Sequence, residues 1–528
     1  LEKSAELKVG LKNYKPTELQ GENYCIAYVE SDDYSLRLKD NSEKALQYMQ
    51  KKSTLINLSS QKLDWEDCHT VIVALKELNL IGNANHLDQY VYNGGYILFA
   101  GSLSIDTNFE ILYRKFGITS FGYDYGAKGI ELITNVLIGE KHLNINDDFL
   151  LNSSLSIELD NQAELLATST DGNPLLWKRN YGSGSIMFFN GSMLQEKINR
   201  GIFTGALSLL EPVFMYPIFN SKVFYIDDFP APTSNSDYPS IREEYNRNIS
   251  SFYKDIWWPD MLKAAKGYNL KYTGEIIETY NDQVHSPFSN PGDQDRSNLI
   301  SYGRELIKSG GEMGLHGYNH QSLVTDEAIS KSFDYKPWNS QEDMSESIKE
   351  VLRFTQDAFP NYALMSYVPP SNVLDSDGRE ALKDAWPSLT VISSLYGEDA
   401  TGNAYIQEYE VAEDGIIEMP RVTSGYLSDS YDRWAEANTI TSLGIFSHFI
   451  HPDDVLNEER SNGQNWENLY KDFNDKLARL QRTYPWIRSM TATEAALDMA
   501  TSLSSQVHLH ISDNQIKGEI SNYQSEVS

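Results

Sequence analysis

The sequence of 528 residues is poor in cysteine, in basic residues and in long apolar runs. Its two cysteines, Cys25 and Cys68, offer neither a disulfide framework nor a metal-ligand spacing, so we expect them to be small core residues of a first domain. Forty-four Lys and Arg against 75 Asp and Glu give a net charge of −31, which argues against nucleic acid as a partner. No apolar run approaches the roughly 18 residues of a membrane span.

The chain also lacks an initiating methionine and a signal peptide, since it opens on Leu1-Glu2-Lys3. We therefore expect a targeting or anchoring segment to have been removed, and the protein to be extracellular or at the cell surface. The length predicts two or three domains, and a hydrophobic content of 40% is ample for packed cores.

Residues 1–218 show alternating strands and helices, which predict a parallel, doubly wound, flavodoxin-like α/β domain. Expected strands are 24–29, 70–75 and 96–100, and expected helices are 42–51 and 86–92. Residues 129–192 have more β character, and 182–189 are typical of a hairpin arm.

The stretch from Gly94 to Ser102 resembles the glutamine-amidotransferase-like fold, in which a nucleophilic cysteine follows the strand. Here Gly101-Ser102 follows instead, so we expect no such activity, and no Gly-rich phosphate loop of the required spacing is found. The interpretation is an accessory domain.

Residues 219–502 alternate again and predict one (β/α) barrel of about seven or eight strands. Expected strands are 223–226, 272–277, 312–315, 364–368, 389–393, 416–419, 443–450 and 486–490. Expected helices are 260–266, 299–308, 341–359, 377–385 and 466–483. Residues 503–528 predict a β tail with one hairpin, or the beginning of a further β domain.

Two groups of polar residues suggest chemistry in the barrel. Asp227 and Asp228 end a buried apolar run, and the carboxyl ends of barrel strands are where such folds keep their sites. Taken alone, the pair is more typical of a turn or a helix cap than of a catalytic site. His316 and His320, four residues apart, can face one metal ion together with a carboxylate from another strand.

In order, Asp227-Asp228, His316-x3-His320, Pro369-Pro370 and His451-Pro452 resemble the motifs of the NodB-like polysaccharide deacetylases. The resemblance is narrower to the large extracellular deacetylases related to the PelA deacetylase domain and the fungal galactosaminogalactan deacetylase. It covers about residues 219–500. It implies that Asp228, His316 and His320 bind one divalent ion, with Zn²⁺ expected, that Asp227 is the general base and that a late histidine is the acid.

Two assignments rest on a choice. His448 and His451 are three apart on one strand and face opposite ways. We favour His451 as the acid, because it lies at the strand end, and interpret His448 as a packed core histidine. The family's arginine before the third motif is missing, and Arg421 either replaces it or is a surface residue paired with an acid.

Tyr367, Asn372 and Arg421 are the expected substrate contacts, and Trp257, Trp258 and Tyr318 are further candidates for the groove or, for the tryptophans, the core.

The resulting hypothesis is metal-dependent N-deacetylation of an extracellular N-acetylhexosamine polysaccharide, with release of acetate. The expected partners are the N-acetylated polymer and an exopolysaccharide synthesis or export complex. The alternatives are an O-acetyl esterase on the same scaffold and a catalytically silent carbohydrate-binding protein.

Overall fold

The computed structural model of the chain describes residues 22–230, 238–289, 293–512 and 515–521. These residues form two compact units. The described residues of the first unit are 22–219, 429–444, 505–512 and 515–521, and those of the second unit are 220–230, 238–289, 293–428 and 445–504. None of the helices in the described ranges is long and apolar enough to cross a membrane.

The first unit is an α/β structure, as its alternating pattern predicts. Its strands are β1 (Asn23–Tyr28), β2 (Lys52–Asn57), β3 (Thr70–Val73), β4 (Tyr96–Phe99), β5 (Ile118–Lys128), β6 (Ile130–Leu132), β7 (Asn144–Ile145), β8 (Leu151–Leu159), β9 (Glu164–Thr168), β10 (Pro174–Tyr181) and β11 (Gly184–Phe189). Its first helices are α1 (Asp33–Tyr48), α2 (Ala84–Tyr92), α3 (Thr107–Leu112) and α4 (Arg200–Leu210).

One mixed sheet organises this unit, in the order β2-β1-β3-β4-β11-β10-β9-β6-β7. The strands from β2 to β11 run parallel, and those from β11 onward pair antiparallel. The hairpin arm predicted at 182–189 is therefore confirmed as β11 paired with β10. Strand β2 was not predicted.

Both faces of this sheet carry an apolar core, as a doubly wound sheet requires. Tyr24 and Ile26 of β1 pack into one cluster, and the alternate residues Cys25 and Ala27 pack into the other. The prediction that the cysteines are unpaired is wrong, because Cys25 and Cys68 form a disulfide. Cys68 stands just before β3, which pairs with β1, so the two Cα atoms lie 5.7 Å apart.

The second unit is built on a ten-stranded sheet. Its strands are β12 (Ser221–Phe229), β13 (Tyr272–Thr279), β14 (Glu312–Asn319), β15 (Ser366–Tyr367), β16 (Val391–Ile392), β17 (Glu410–Val411), β18 (Ile417–Glu418), β19 (Thr423–Ser424), β20 (Ile445–Ile450) and β21 (Arg488–Ser489). The order is β17-β18-β16-β15-β14-β13-β12-β20-β19, with β21 beside β12. All pairs are parallel except β17 with β18.

The eight predicted strands of this region each overlap an observed one, and the sheet is strongly curled. Arg421 bridges to Leu395 on one side, and the next residue, Val422, donates its N–H to Ser447 O on the other. One short stretch thus contacts both the segment that follows β16 and strand β20, which lie towards opposite ends of the strand order. A closed barrel of seven or eight strands stays a prediction.

Helices follow most of these strands. They are α5 (Pro239–Tyr245), α6 (Ile249–Phe252), α7 (Trp258–Tyr268), α8 (Asp293–Lys308), α9 (Glu327–Ser332), α10 (Gln341–Ala358), α11 (Ser376–Ala385), α12 (Ser430–Leu443), α13 (Glu458–Ser461), α14 (Trp466–Thr483) and α15 (Ala492–Ser504). Polar caps start several of them, such as Ser340, whose side chain accepts from Asp343 N before α10. Helix α12 belongs to the first unit.

The C-terminal hairpin is confirmed as two antiparallel strands, β22 (Gln506–Ser512) and β23 (Gln515–Ser521). Residues 522–528 of the predicted tail lie outside the described residues.

Candidate active site

Five chemically active side chains meet at the carboxyl ends of neighbouring parallel strands of the second unit. Asp227 and Asp228 lie near the end of β12, His316 lies in β14, and His320 follows that strand directly. His451 follows β20, which pairs with β12. The structure therefore brings together all five residues to which the sequence assigned catalytic or metal-binding roles.

Asp228, His316 and His320 form a group with the dimensions of a metal site. Asp228 Oδ1 lies 3.6 Å from His316 Nε2 and 3.7 Å from His320 Nε2. The three ligand atoms are all within 4.8 Å of one another. Ligand atoms about 2.0–2.2 Å from a tetrahedral zinc are separated by little more than 3 Å, so small side-chain shifts bring this group to ligand distance.

Hydrogen bonds orient both histidine rings towards Asp228. His316 Nδ1 lies 2.8 Å from Val368 O, which accepts its proton and leaves Nε2 with a free lone pair. Burial lowers the pKa of His316 to about 4, so the ring is neutral at pH 7, as a metal ligand must be. His320 Nδ1 lies 2.7 Å from Tyr335 Oη, which turns its Nε2 to the same centre.

Two atoms at this centre have lone pairs that are available to bind a cation. Within the described part of the chain, Asp228 Oδ1 and His316 Nε2 are buried and have no hydrogen-bond partner. Buried polar atoms without a partner are rare, and a divalent ion would satisfy both. Burial raises the pKa of Asp228, but the neighbouring histidines, His320 first, outweigh it and keep the carboxylate ionised. Asp228 also has φ +55°, a left-handed conformation that is costly for a residue with a side chain.

Asp227 is held by a buried arginine. Arg421 Nη1 donates to both carboxylate oxygens of Asp227, at 2.8 and 2.6 Å, and its Nη2 donates to Asn372 Oδ1. Its guanidinium also lies 3.9 Å from the ring centre of Phe449. Burial raises the pKa of Asp227, but the charge of Arg421 overcomes this and lowers the pKa below its usual value. Arg421 is only 1% exposed, so of the two alternatives the surface role is wrong.

The two candidate acids differ in their surroundings. His451 Nε2 lies 3.6 Å from Asp227 Oδ2, and its Nδ1 lies 3.3 Å from Asp454 Oδ1. Burial lowers the pKa of His451, but Asp454 and then Asp227 and Asp228 outweigh burial and raise it to about 9. His448 is fully buried, with Nδ1 bonded to Thr423 Oγ1 and Nε2 to Gly425 O. His448 is thus a packed histidine, and His451 faces the site.

The predicted substrate contacts lie elsewhere than expected. Tyr367 is fully buried, because it is part of the short interior strand β15, so it does not reach a polymer. Arg421 donates both to Asn372 and to Asp227, so it is engaged within the site. The further candidates Trp257, Trp258 and Tyr318 are also buried, in line with the core alternative for the tryptophans.

Sequence reasoning missed several residues around the site. Asp454 contacts His451 and forms a capping box with it, but His-x-x-Asp is not the Ser/Thr-x-x-Glu/Gln pattern that marks such a box in a sequence. Tyr335 contacts His320 across 15 positions, for which no local pattern exists. Tyr280 follows β13, is 47% exposed, and its ring centre lies 6.2 Å from that of His320. It is therefore a partly exposed aromatic side chain beside the metal group.

A family model described as "Uncharacterised protein conserved in bacteria (DUF2194)" matches residues 17–149 and 140–527. No curated protein matches the sequence.

Solved structures show weak likeness to parts of the chain. An exo-beta-1,4-mannosidase from Opitutaceae bacterium strain TAV5 is 14% identical over 36% of this chain and 36% of its own, with a TM-score of 0.27. A CE4 family pseudoenzyme from Bacillus anthracis is 9% identical over 53% and 66%, with a TM-score of 0.29. The Xyl-CE4 domain of a xylanase from the hindgut metagenome of Trinervitermes trinervoides is 12% identical over 52% and 89%, with a TM-score of 0.27. The match spans about a third of the mannosidase and just under two thirds of the pseudoenzyme. TM-scores this low establish neither a shared fold nor a shared function.

Proposed function

We propose that this chain, which belongs to the bacterial family DUF2194, is a metal-dependent hydrolase that removes N-acetyl groups from an extracellular polymer of N-acetylhexosamine. One observation carries the proposal. A three-residue metal group, a separate carboxylate paired with a buried arginine, and a histidine paired with a second carboxylate all meet at one sheet edge. Together these groups can hold a metal that activates water, accept a proton from that water and donate a proton to the leaving amine, which are the functions that metal-assisted amide hydrolysis uses.

Asp228, His316 and His320 are the residues that would hold the metal, with Zn²⁺ as the expected ion. A bound divalent ion supplies an acidified water and polarises the acetyl carbonyl. His316 is neutral, Asp228 is ionised, and the described residues add no fourth His, Cys, Asp or Glu side chain to this group, which suits a catalytic rather than a structural site.

Asp227 is the general base. Its lowered pKa keeps it ionised at neutral pH, so it can accept a proton from the attacking water. Arg421 holds the carboxylate in place through two hydrogen bonds, and Asn372 holds Arg421. Asn372 and Arg421 are therefore assigned to positioning of the base and not to substrate binding.

His451 is the general acid. An amine leaves an amide readily only when it is protonated, and a histidine with a pKa of about 9 carries that proton at neutral pH. Asp454 accepts from the backbone N–H of His451 at 3.0 Å and faces its Nδ1, so it holds the ring with Nε2 towards Asp227. This strong protonation favours an amide over an ester substrate, since an alkoxide needs less help to leave.

The polymeric N-acetylhexosamine substrate and a partner complex for its synthesis or export rest on the resemblance to the NodB-like deacetylases. An extracellular or cell-surface setting has separate support. Cys25 and Cys68 form a disulfide, and disulfides form and persist mainly in oxidising compartments such as the extracellular space.

Acetate release from a panel of N-acetylated and O-acetylated polysaccharides tests the proposal. The Zn²⁺-loaded protein should release acetate from an N-acetylhexosamine polymer. Asp227→Asn should lower the rate about 10²–10⁴-fold without loss of metal, because only the proton acceptor is removed. Asp377→Asn, at an exposed position in α11, is the matched control and should keep the wild-type rate.

Other results point to the alternatives. Release from O-acetylated polymers alone identifies an esterase. Polymer binding without any release of acetate identifies a silent binding protein.

A further inference from the structure

The segment Val368–Asn372, which follows β15, has an unusual backbone. Ser371 and Asn372 both have positive φ, +50° and +60°, so two consecutive residues adopt the left-handed conformation. Asparagine tolerates this region, but serine does so less readily. Such strain persists only where surrounding contacts enforce it, and it is common at functional sites.

On one side, this segment hydrogen-bonds to His316 directly and to His320 through Tyr335. Val368 O accepts from His316 Nδ1. Ser371 Oγ lies 2.5 Å from Tyr335 Oη, which in turn lies 2.7 Å from His320 Nδ1. With His320 Nε2 facing Asp228, Nδ1 carries the proton and donates to Tyr335, whose hydroxyl then donates to Ser371.

On the other side, the next residue contacts the support of the base. Asn372 Oδ1 accepts from Arg421 Nη2, and Arg421 donates to both oxygens of Asp227. The backbone oxygen of Asn372 accepts from Tyr405 N at 2.8 Å and from Ser394 Oγ at 3.0 Å, so the residue is fixed by its own main chain.

We propose that Ser371 and Asn372 are positioning residues that act as a pair. Both lie in the strained segment Val368–Asn372, hereafter the corner, and from there one orients a metal ligand and the other orients the general base. Ser371 acts on His320 through Tyr335, and Asn372 acts on Asp227 through Arg421. The inference rests on the proposed function, since it assigns supports to the residues named there. It differs from a merely structural role because each residue should affect a different step.

The metal side is tested by calorimetric titration of Zn²⁺ alone into the chelator-treated protein. Tyr335→Phe removes the hydroxyl that links Ser371 to His320 and should weaken Zn²⁺ binding about tenfold, while one ion still binds. Tyr362→Phe is the matched control, since its hydroxyl accepts from Met313 N on β14 and is not hydrogen-bonded to either histidine ligand, and it should bind Zn²⁺ as the wild type does.

Equal affinities of Tyr335→Phe and the wild type would overturn the metal side of the inference. A wild-type protein that binds no Zn²⁺ would instead contradict the proposed function itself.

The base side is tested with glycine variants, because glycine keeps a positive φ without strain and removes only the side chain. Asn372→Gly should lower kcat about tenfold at saturating Zn²⁺ and leave the affinity for Zn²⁺ unchanged. Asn372→Asp retains an oxygen acceptor for Arg421 and should restore most of kcat. Ser371→Gly should show the reverse, weaker Zn²⁺ binding with a near-normal kcat once the ion is saturating.

Parallel losses of Zn²⁺ affinity and kcat in both glycine variants would mean that the corner only maintains the fold, and would overturn the division of roles.

Discussion

Asp227 and Asp228 are adjacent in sequence, yet the structure gives them different partners. The left-handed backbone at Asp228 turns its carboxylate to His316 and His320, while Asp227 stays with Arg421 and His451. Asp228 is therefore placed to bind a metal ion, and Asp227 is placed to accept a proton. Sequence order alone cannot distinguish them, because both follow the same apolar strand.

Asp454 should control the pH range of activity through His451. Its charge helps to raise the pKa of His451 to about 9, so wild-type kcat should fall as pH rises through that value and the acid loses its proton. Asp454→Asn removes the charge, which lowers the pKa of His451 and moves this alkaline limb down by about one pH unit or more. The measurement is kcat against pH between about 6 and 10 at saturating Zn²⁺. An unmoved limb would show that His451 is not the acid.

The candidate residues were largely predictable, but their supports were not. Strand ends and histidine spacing pointed to Asp228, His316 and His320, since strand direction decides which residues meet at a sheet edge. Tyr335 and Asn372 act through contacts between segments far apart in sequence, and no periodicity encodes such contacts. Tyr367 was expected as a substrate contact, but it lies in the two-residue strand β15, whose residues are both buried.

At the scale of elements, apolar runs located eight of the ten strands described in the second unit, but not their lengths, and they missed the two-residue strands β17 and β19. The predicted strands 364–368 and 389–393 shrink to the two-residue strands β15 and β16. Backbone beyond them turns away to form loops, including the corner that holds Asn372. An apolar run indicates that a segment is buried, and buried loops near a site are also apolar. The run therefore does not show where the strand ends and the loop begins.

Strand β13 carries a buried carboxyl that should make stability depend on pH. Burial first, and then the charge of Glu350, raise the pKa of Glu278 from 4.5 to about 8. Because the folded state holds a proton that the unfolded state releases, the stability contribution is present below pH 4.5 and is lost as pH rises through about 8. The effect should be on the order of a few kcal/mol.

Glu278→Gln should therefore reduce the loss of unfolding free energy between pH 5 and pH 8, measured by urea denaturation. Glu327→Gln, an exposed position in α9, should keep the wild-type slope. If Glu278→Gln and the wild type lose the same free energy over this range, Glu278 ionises freely in the folded protein.

At the scale of the whole molecule, the chain's order does not follow its spatial division. Helix α12 lies between β19 and β20 in sequence, but it belongs to the first unit. There Trp434 Nε1 donates to Asn199 Oδ1, and Asn438 Oδ1 accepts from Ile202 N on α4. From the sequence, a helix is expected to pack in the same domain as the strands on either side of it. The three-dimensional contacts show instead that α12 packs in the first unit.

The disulfide should stabilise the first unit without affecting catalysis. It joins residues 43 positions apart, so the double variant Cys25→Ser, Cys68→Ser should lose about 2–4 kcal/mol of unfolding free energy. Reduced wild-type protein should match the variant in denaturant unfolding. Acetate release at 25 °C should be unchanged, because neither cysteine is in the unit that holds the site. Equal stability of variant and oxidised wild type would show that the bond contributes nothing.

The most direct test of the central claim is acetate release from an N-acetylhexosamine polymer by one protein sample before chelation, after chelation and after addition of one equivalent of Zn²⁺. We expect release by the starting protein, loss of nearly all release with chelator, and recovery with Zn²⁺. We expect no recovery for His316→Ala, which lacks one ligand. Acetate release that persists at the same rate in the metal-free protein would show that the hydrolysis does not depend on a metal.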